Sequence, residues 1–575
     1  MSRTSIDQLN AAADASFAAA LDGLYDGAPW LAPAVAAERP FASEAALRQA
    51  FVRRVRGVDD ATQRALLRAH RPRPGSAPAD PGLEAARAAY EARFGFPFVL
   101  AGVGHDGTER GAAETQATLA WRRLRSVEAE RAEALRQLHR EAERRLHALL
   151  GTVPARGRQL LAWAGALAAH SDPGFKERGE LTVTYLRDAH RACSAQLRQW
   201  MTVDAGFDEV EEDALGNLVG LYHAQGAADG RAAPRLLIGS HFDTVRNAGR
   251  FDGRLGILAA MLAVQALARQ GRRLPFAVEL VAIAEEEGQR FQAGGFLGAS
   301  ALVGEFDPAW LDATDADGVR LADALRSAGL DPAAIPALRR ERSRYLGYVE
   351  LHIEQGPVLA AADLPLGVVS AINGAVRLGL EIDGAACHAG TTPMADRHDA
   401  AAAAAEVVLA VERLASAAPG VVGTVGMLEV PGGSINVVPG RCRLSIDLRA
   451  PSDDRRDATL AALQAEMAAI AGRRGVTIRQ AETMRVAASP CDESGQRHWA
   501  AAVASLGLPV FSLPSGAGHD AMVLGRRMPQ SMLFVRGQHD GISHSPLEAV
   551  TDDDAELAVA ALLALLDRLA TPAAG

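Results

Sequence analysis

The chain has 575 residues and a formal net charge of -10. That length exceeds what one hydrophobic core organises, so about three domains are expected, and the acidic balance argues against nucleic acid or an anionic membrane as partner. No apolar run approaches the ~20 residues of a membrane span. The N-terminus carries acids where a signal peptide would be apolar. The four cysteines lack CxxC spacing, which fits a reduced, cytoplasmic setting and leaves any metal to His and carboxylates.

In chain order, residues 1 to about 150 read as helix. "SEAALRQAFVRRV" and "VEAERAEALRQLHREAERRLHALL" space apolar residues by three and four on Arg/Glu-rich faces. "RPRPGSAPADPG" (Arg71 to Gly82) interrupts them, and "GTVPARG" (Gly151 to Gly157) marks a junction. Then the pattern changes. "NLVGLYH", "RLLIGSH" and "FAVELVAIA" read as buried strands, with helix "LGILAAMLAVQALARQG" between the second and third. Such alternation predicts a sheet covered on both faces by helices, with ligands beyond the carboxyl ends of its strands. From about Ala371 an α+β unit follows, and the last ~90 residues return to the earlier style. The expected fold is therefore an all-α N-terminal region at 1–152, an α/β domain at 156–370 and 486–575, and an α+β insertion at 371–485.

His241, Asp252, Glu286, His352 in "VELHIEQGP" and His544 in "GISHSP" fall at strand ends or in Gly-flanked loops. Each alone is an ordinary loop residue. Five at the strand edges of one sheet domain match the donor set of a dinuclear hydrolytic site, which also needs a free base. Asp243, two residues past His241, could orient its imidazole. Three acids ending an apolar strand, Glu285 to Glu287, are costly unless cations compensate.

These stretches, with "GRFDGRLGIL", "EEEGQRF", "CHAGTTPM", "INVVPG" and "SGAGHDAM", resemble the M20-type metallohydrolases. The branch is that of allantoate amidohydrolases, N-carbamoyl-amino-acid hydrolases and β-ureidopropionases. The resemblance implies two divalent ions, Zn²⁺ or Mn²⁺, held by His241, Asp252, Glu286, His352 and His544, with Asp252 as bridge. It implies Glu285 as general base, Glu287 solvated, and Asp243 behind His241. His388 would reach the site from the partner subunit of a homodimer, and the inserted unit would be lid and dimerisation domain. Asn436 and Arg449 would clamp the substrate, and His519 would line its pocket. His498 and His539 read as ordinary surface residues.

The N-terminal region resembles 2-oxo-4-hydroxy-4-carboxy-5-ureidoimidazoline (OHCU) decarboxylase. The carriers are "LLRAH", "AAYEARFGFPFVLAGVG" and "LHREAERRLHALL". His70 matches that family's catalytic histidine, but the short segment after it lacks the family's Glu, and Glu84 lies too close to "FGFPF" to replace it. The helical fold is expected with little decarboxylase activity, and removing the region should leave the second activity nearly intact. Decarboxylation yields allantoin, and ring opening of allantoin yields allantoate, so the fusion favours allantoate as substrate: water would release ammonia and CO₂ and leave ureidoglycine. The alternatives are an N-carbamoyl-L-amino-acid hydrolase or β-ureidopropionase with a scaffold N-terminal domain, and a metal-free binding module. The expected partner is a small ureido compound.

Overall fold

The strand predicted at "RLLIGSH" forms because Leu236, Leu237 and Ile238 are apolar and the sheet around it buries every residue after Arg235. In the computed structural model, which describes residues 4–70, 81–226, 233–291 and 294–571, the strands β1 (Glu209–Glu212), β2 (Leu218–Tyr222), β3 (Arg235–His241), β4 (Ala277–Ile283), β5 (Tyr345–Ile353), β6 (Leu366–Ile372) and β7 (Gln530–Val535) are ordered β1-β2-β4-β3-β5-β7-β6. β4, β3 and β5 run parallel, while β2 pairs antiparallel with β4. β2 and β4 are buried throughout. Helices Arg254–Arg269 and Asp552–Ala570 contribute Leu258, Leu262, Leu562 and Leu566 to the core that covers this sheet.

Register sets the site. Ile238 on β3 pairs with Val349 on β5, so His241 and His352, each three residues on, leave the sheet at one level. His241 also pairs with Ile283 on β4, and the three acids follow two residues later. A parallel register thus delivers three separate sequence motifs to one edge.

The helical region has its own core, with Phe17, Phe51, Tyr90, Phe94 and Phe96 buried in it. Ser43, Asp59 and Ser126 cap its helices by accepting backbone N–H groups three residues on, and left-handed Gly151 ends helix Val127–Leu150. The expected separation between this region and the α/β domain does not appear as a gap in packing. The chain divides into two compact units, and the helical region shares the first, Met1–Val368 with Arg497–Phe511 and Leu533–Gly575, with the sheet. Ion pairs join them: Arg140 to Asp552 at 2.8 Å, His147 to Asp553 at 2.7 Å, and Arg56 to Asp363 at 2.6 Å. The backbone N–H of Asp552 also donates to the carbonyl of His105 at 2.8 Å.

The second unit is Val369–Gln496 with Ser512–Met532. Strands Gly374–Asp383, Arg441–Ala450 and Thr477–Val486 form its sheet, with helices Ala400–Ala417 and Asp453–Arg474 packed through Val407, Val411, Leu463 and Met467. It is larger than the expected 371–485 insertion. Ser515 accepts a hydrogen bond from the backbone N–H of Asn373 at 2.9 Å, and this pairing draws the segment carrying His519 into the unit.

Candidate metal centre

The carboxylate of Asp252 is the hub of the first unit's site. His352 Nε2 lies 3.2 Å from its Oδ1 and His241 Nε2 3.5 Å away, while His544 Nε2 lies 3.2 Å from Oδ2. Asp252 reaches this position through Gly253, whose φ of +66° brings its Cα against His241. A Cβ there would stand 2.4 Å from the His241 carbonyl oxygen, so no other residue fits without displacement. Gln355 and Ser543 donate to Asp252 Oδ2 at 2.8 and 3.0 Å, and Glu548 accepts the backbone N–H of Phe251 and Asp252 at 2.7 and 3.1 Å.

Both buried histidines are set in one tautomer. His241 Nδ1 faces the Asp243 carbonyl at 3.2 Å, and His352 Nδ1 faces the Ile353 carbonyl at 2.9 Å. A carbonyl accepts only, so Nδ1 carries a hydrogen and Nε2 is the nitrogen turned toward Asp252, a donor to the carboxylate while the imidazole is protonated and a lone pair for a metal once it is not. Asp243 accepts the backbone N–H groups of Glu286 and Glu287 at 3.2 and 3.1 Å, which ties the acidic turn to the His241 strand end.

Burial dominates the electrostatics. It opposes charge on His241, but the Glu286, Asp243 and Asp252 carboxylates outweigh it and hold the imidazole well above its usual range. Burial likewise works against Asp252, yet hydrogen bonds to His241, His352 and His544 hold its carboxyl well below the usual range. Glu285 and Glu287 are pushed up by burial, to about 8 and about 7. The site concentrates negative charge that only cations would offset.

Two donor trios share Asp252: His241, Asp252 and His352, and Asp252, Glu287 and His544, each with its ligand atoms within 4.8 Å of one another. His241, Glu286 and Glu287 form a third such group. Buried carboxylates flanked by imidazole lone pairs suit a divalent ion such as Zn²⁺ or Mn²⁺.

Of the three acids in the turn, Glu286 and Glu287 fall within metal-competent groups and Glu285 does not. Glu285 has a φ of +56°, and its carboxylate accepts the backbone N–H of Arg290 at 3.3 Å, apart from every metal-competent group among the described residues. Glu287, expected in solvent, has a side chain only 10 % exposed and stands 3.9 Å from His544. Glu286 Oε2 stands 4.0 Å from His241. Consecutive residues point in different directions, and the left-handed turn at Glu285 decides which ones face the cluster. No spacing rule would have revealed that φ. Ser543, Glu548 and Gln355 were also missed, since a single Ser, Glu or Gln in a loop carries no distinctive signal.

Within the second unit, His388 pairs with Val437, which places it beside Asn436. His388 Nδ1 accepts the backbone N–H of Gly390 and Thr391 at 3.0 and 3.2 Å, leaving Nε2–H as an exposed donor. Asn436 Oδ1 accepts from Ser434 at 2.9 Å. Arg449 donates to both oxygens of Asp447, at 2.9 and 3.1 Å, and to the Gly516 carbonyl at 2.9 Å. His519 is buried, with Nε2 2.8 Å from Ser515 Oγ.

His70 is buried at the end of helix Asp60–Ala69, its Nδ1 3.2 Å from Asp26 Oδ2. Arg145 donates to both Asp26 oxygens at 2.8 and 3.0 Å. Glu84 instead faces solvent beside Arg87. The segment at 71–80 that replaces the family's longer one lies outside the described residues. His539, expected at the surface, packs edge-on against His105 and Trp121 at 5.2 and 5.5 Å between ring centres.

The sequence matches the model of peptidase family M20/M25/M40 over residues 237–568, and that of OHCU decarboxylase over 10–84 and 76–147. An N-carbamoyl-L-amino acid amidohydrolase of Geobacillus stearothermophilus is 41% identical over 60% of this chain and 83% of its own. A probable allantoate deiminase of Oryza sativa subsp. japonica is 37% identical over 69% of this chain and 86% of its own. The crystal structure of a hydantoinase/carbamoylase family amidase from Burkholderia multivorans has 30% identity and a TM-score of 0.66, covering 72% of this chain and 98% of that one. No described helix is long and apolar enough to cross a membrane. The chain belongs to peptidase family M20/M25/M40 and carries an OHCU decarboxylase-like helical region at its N-terminal end.

Proposed function

We propose that this chain hydrolyses allantoate to ureidoglycine, ammonia and CO₂ at a two-ion site, as a cytoplasmic homodimer using Zn²⁺ or Mn²⁺. The observation that carries the substrate is the pairing of the two family matches on one polypeptide. OHCU decarboxylation supplies allantoin, and ring-opened allantoin is the compound that one branch of the second family consumes.

His241 and His352 would hold one ion, Glu287 and His544 the other, with Asp252 between them. When bound, the ions would supply a water of lowered pKa and a polarised ureido carbonyl, which two nitrogens otherwise make a poor electrophile. Asp243 keeps His241 and the acidic turn in register. Glu286 takes the water proton and delivers it to the terminal nitrogen. The water oxygen bonds to the ureido carbon, the C–N bond breaks, ammonia leaves, and the remaining carbamate divides into CO₂ and the amine. His388, from the partner subunit, donates Nε2–H to the oxyanion. Arg449, steadied by Asp447, offers its guanidinium to a substrate carboxylate beside Asn436, and His519 supports the pocket wall.

The 41% identity to an N-carbamoyl-L-amino acid amidohydrolase favours a second reading with the same site and a simpler substrate. Ammonia release from allantoate and from a series of N-carbamoyl-L-amino acids, on the same metal-quantified enzyme, separates the two. Allantoate should show the higher kcat/KM by at least about tenfold, or ~1.4 kcal/mol in the transition state; a carbamoyl-amino acid ahead by that margin reverses the assignment.

For the helical region, Asp26 beside His70 offers a carboxylate in place of the family's missing Glu. It favours a working decarboxylation site in which His70 protonates the carbon that has lost CO₂. Conversion of freshly generated ureidoimidazoline by the full chain, read by circular dichroism, should give one-handed allantoin, and His70→Ala should abolish that handedness.

A further inference from the structure

The loop from Arg536 to Glu548 leaves β7 and brings Ser543, His544 and Glu548 to Asp252. Its path is unusual. His539, Asp540, Gly541 and His544 all have φ between +52° and +71°, a region that few residues other than glycine adopt. Gly541 passes Gly356 so closely that a Cβ would stand 1.6 Å from the Gly356 carbonyl oxygen. Backbone of this kind persists where the surroundings over-determine it.

The helical region supplies much of that surrounding. Arg125 and Arg136 converge on the Asp540 carboxylate, at 2.6 and 2.8 Å. Trp121 and His105 present their rings to His539. Arg136 is itself held by the buried Glu133 at 2.8 Å, and Trp121 lies under the Arg125 guanidinium at 4.9 Å, so the clamp is braced from behind. Two successive left-handed residues, four and five positions before His544, are thus gripped by side chains from a region that belongs to a different family model. None of the four touches the cluster around Asp252.

We propose that Arg125, Arg136, Trp121 and His105 are positioning residues for the metal centre, by which the helical region holds the 539–544 turn and sets His544 against Asp252 and Glu287. This rests on the reading of His544 as a metal ligand. The clamp makes the affinity for one of the two ions depend on the N-terminal region.

The test is titration of metal-depleted, full-length protein with Co²⁺, followed by equilibrium dialysis and the visible bands that report donor number and geometry. Wild type should take up two ions, and His544→Ala should lose or alter the bands of one. Asp540→Asn, which keeps shape and tolerates the left-handed backbone, should weaken that same ion about threefold. Combined with Trp121→Ala it should weaken it about tenfold and leave the other ion unchanged. Trp121→Phe, which keeps an aromatic ring, should stay close to wild type. If Asp540→Asn and its double variant titrate like wild type while His544→Ala does not, the clamp is refuted and the ligand assignment stands. If His544→Ala also titrates like wild type, the ligand assignment fails and the inference falls with it.

Discussion

Replacing Glu286 by Gln tests the proposed role of Glu286 as general base against the role of Glu285 that the family resemblance implies. Gln keeps the volume and removes a charge 4.0 Å from His241 Nε2. Losing a general base costs ~10²–10⁴ in rate, about 2.7–5.4 kcal/mol of transition-state stabilisation. Glu286→Gln should therefore lose at least ~10²-fold in kcat with both ions retained. Glu287→Gln alters a donor in the trio with Asp252 and His544, so its defect should appear as one weakened ion. Glu285→Gln should be mild. Its Oε1 accepts the Arg290 N–H at 3.3 Å, and the carbonyl of Gln accepts equally well. A change within ~10-fold, under ~1.4 kcal/mol, is expected there. The assay is initial-rate ammonia release with metal analysis of the same sample. A metal-replete Glu285→Gln that loses ~10²-fold, beside a Glu286→Gln that does not, refutes the role proposed for Glu286.

His241 belongs to two of the donor groups, so His241→Ala should purify with less metal, and an unchanged metal content would remove it from the ligand set. Arg140→Ala should cost about 3 kcal/mol, the low end for a broken buried pair, because Arg158 still reaches Asp552 at 3.1 Å; urea denaturation reads this, and a loss under ~1 kcal/mol would place Arg140 among the weak surface pairs. Burial opposes charge on His147, but hydrogen bonds to Asp553 and Glu44 outweigh it and hold the imidazole up at about 9. Thr152 also faces the ring, and Arg48 and Arg140 act on the same Asp553 carboxylate. The folded value lies above the unfolded one of ~6.5, so this stabilisation is complete below ~6.5 and disappears as pH rises through about 9. The melting difference between wild type and His147→Gln should shrink over that window, and a pH-independent difference would remove the charge from the account.

The strand ends were legible because their physics is local. Apolar "RLLI" cannot end in water without a reason for His241, and Asp252 stands out as an acid in a Gly-flanked loop. The acidic triplet was legible as a cluster but not in its aim. Three identical side chains in a row carry no label, and the left-handed Glu285 that rotates them is a tertiary consequence. Asp26 was illegible for another reason. It lies in a Gly-flanked turn, "LYDGAP", and only Arg145, far along the chain, turns it toward His70.

The boundary between the helical region and the sheet shows why polar faces mislead. "VEAERAEALRQLHREAERRLHALL" has the charge pattern of a solvated surface. In the structure Glu130, Glu133, Gln137, His139, Arg140 and Glu141 of that helix are all buried. Such residues are rarely buried unless paired, and here Arg140 and His147 pair with Asp552 and Asp553. Those acids begin the closing helix of the sheet domain, where negative charge also meets the positive end of the helix dipole. Each region therefore carries the counter-charges of the other. Removing residues 1–150 would leave Asp553 without Arg48 and His147 and Asp540 without Arg125 and Arg136, so the truncated enzyme should lose stability and metal together, against the expectation of an intact remainder. The helix that clamps Asp540 through Arg136 also reaches Asp26, beside His70, through Arg145 two and a half turns later. One rigid element thus touches both candidate sites, so a change that displaces this helix should be felt at both.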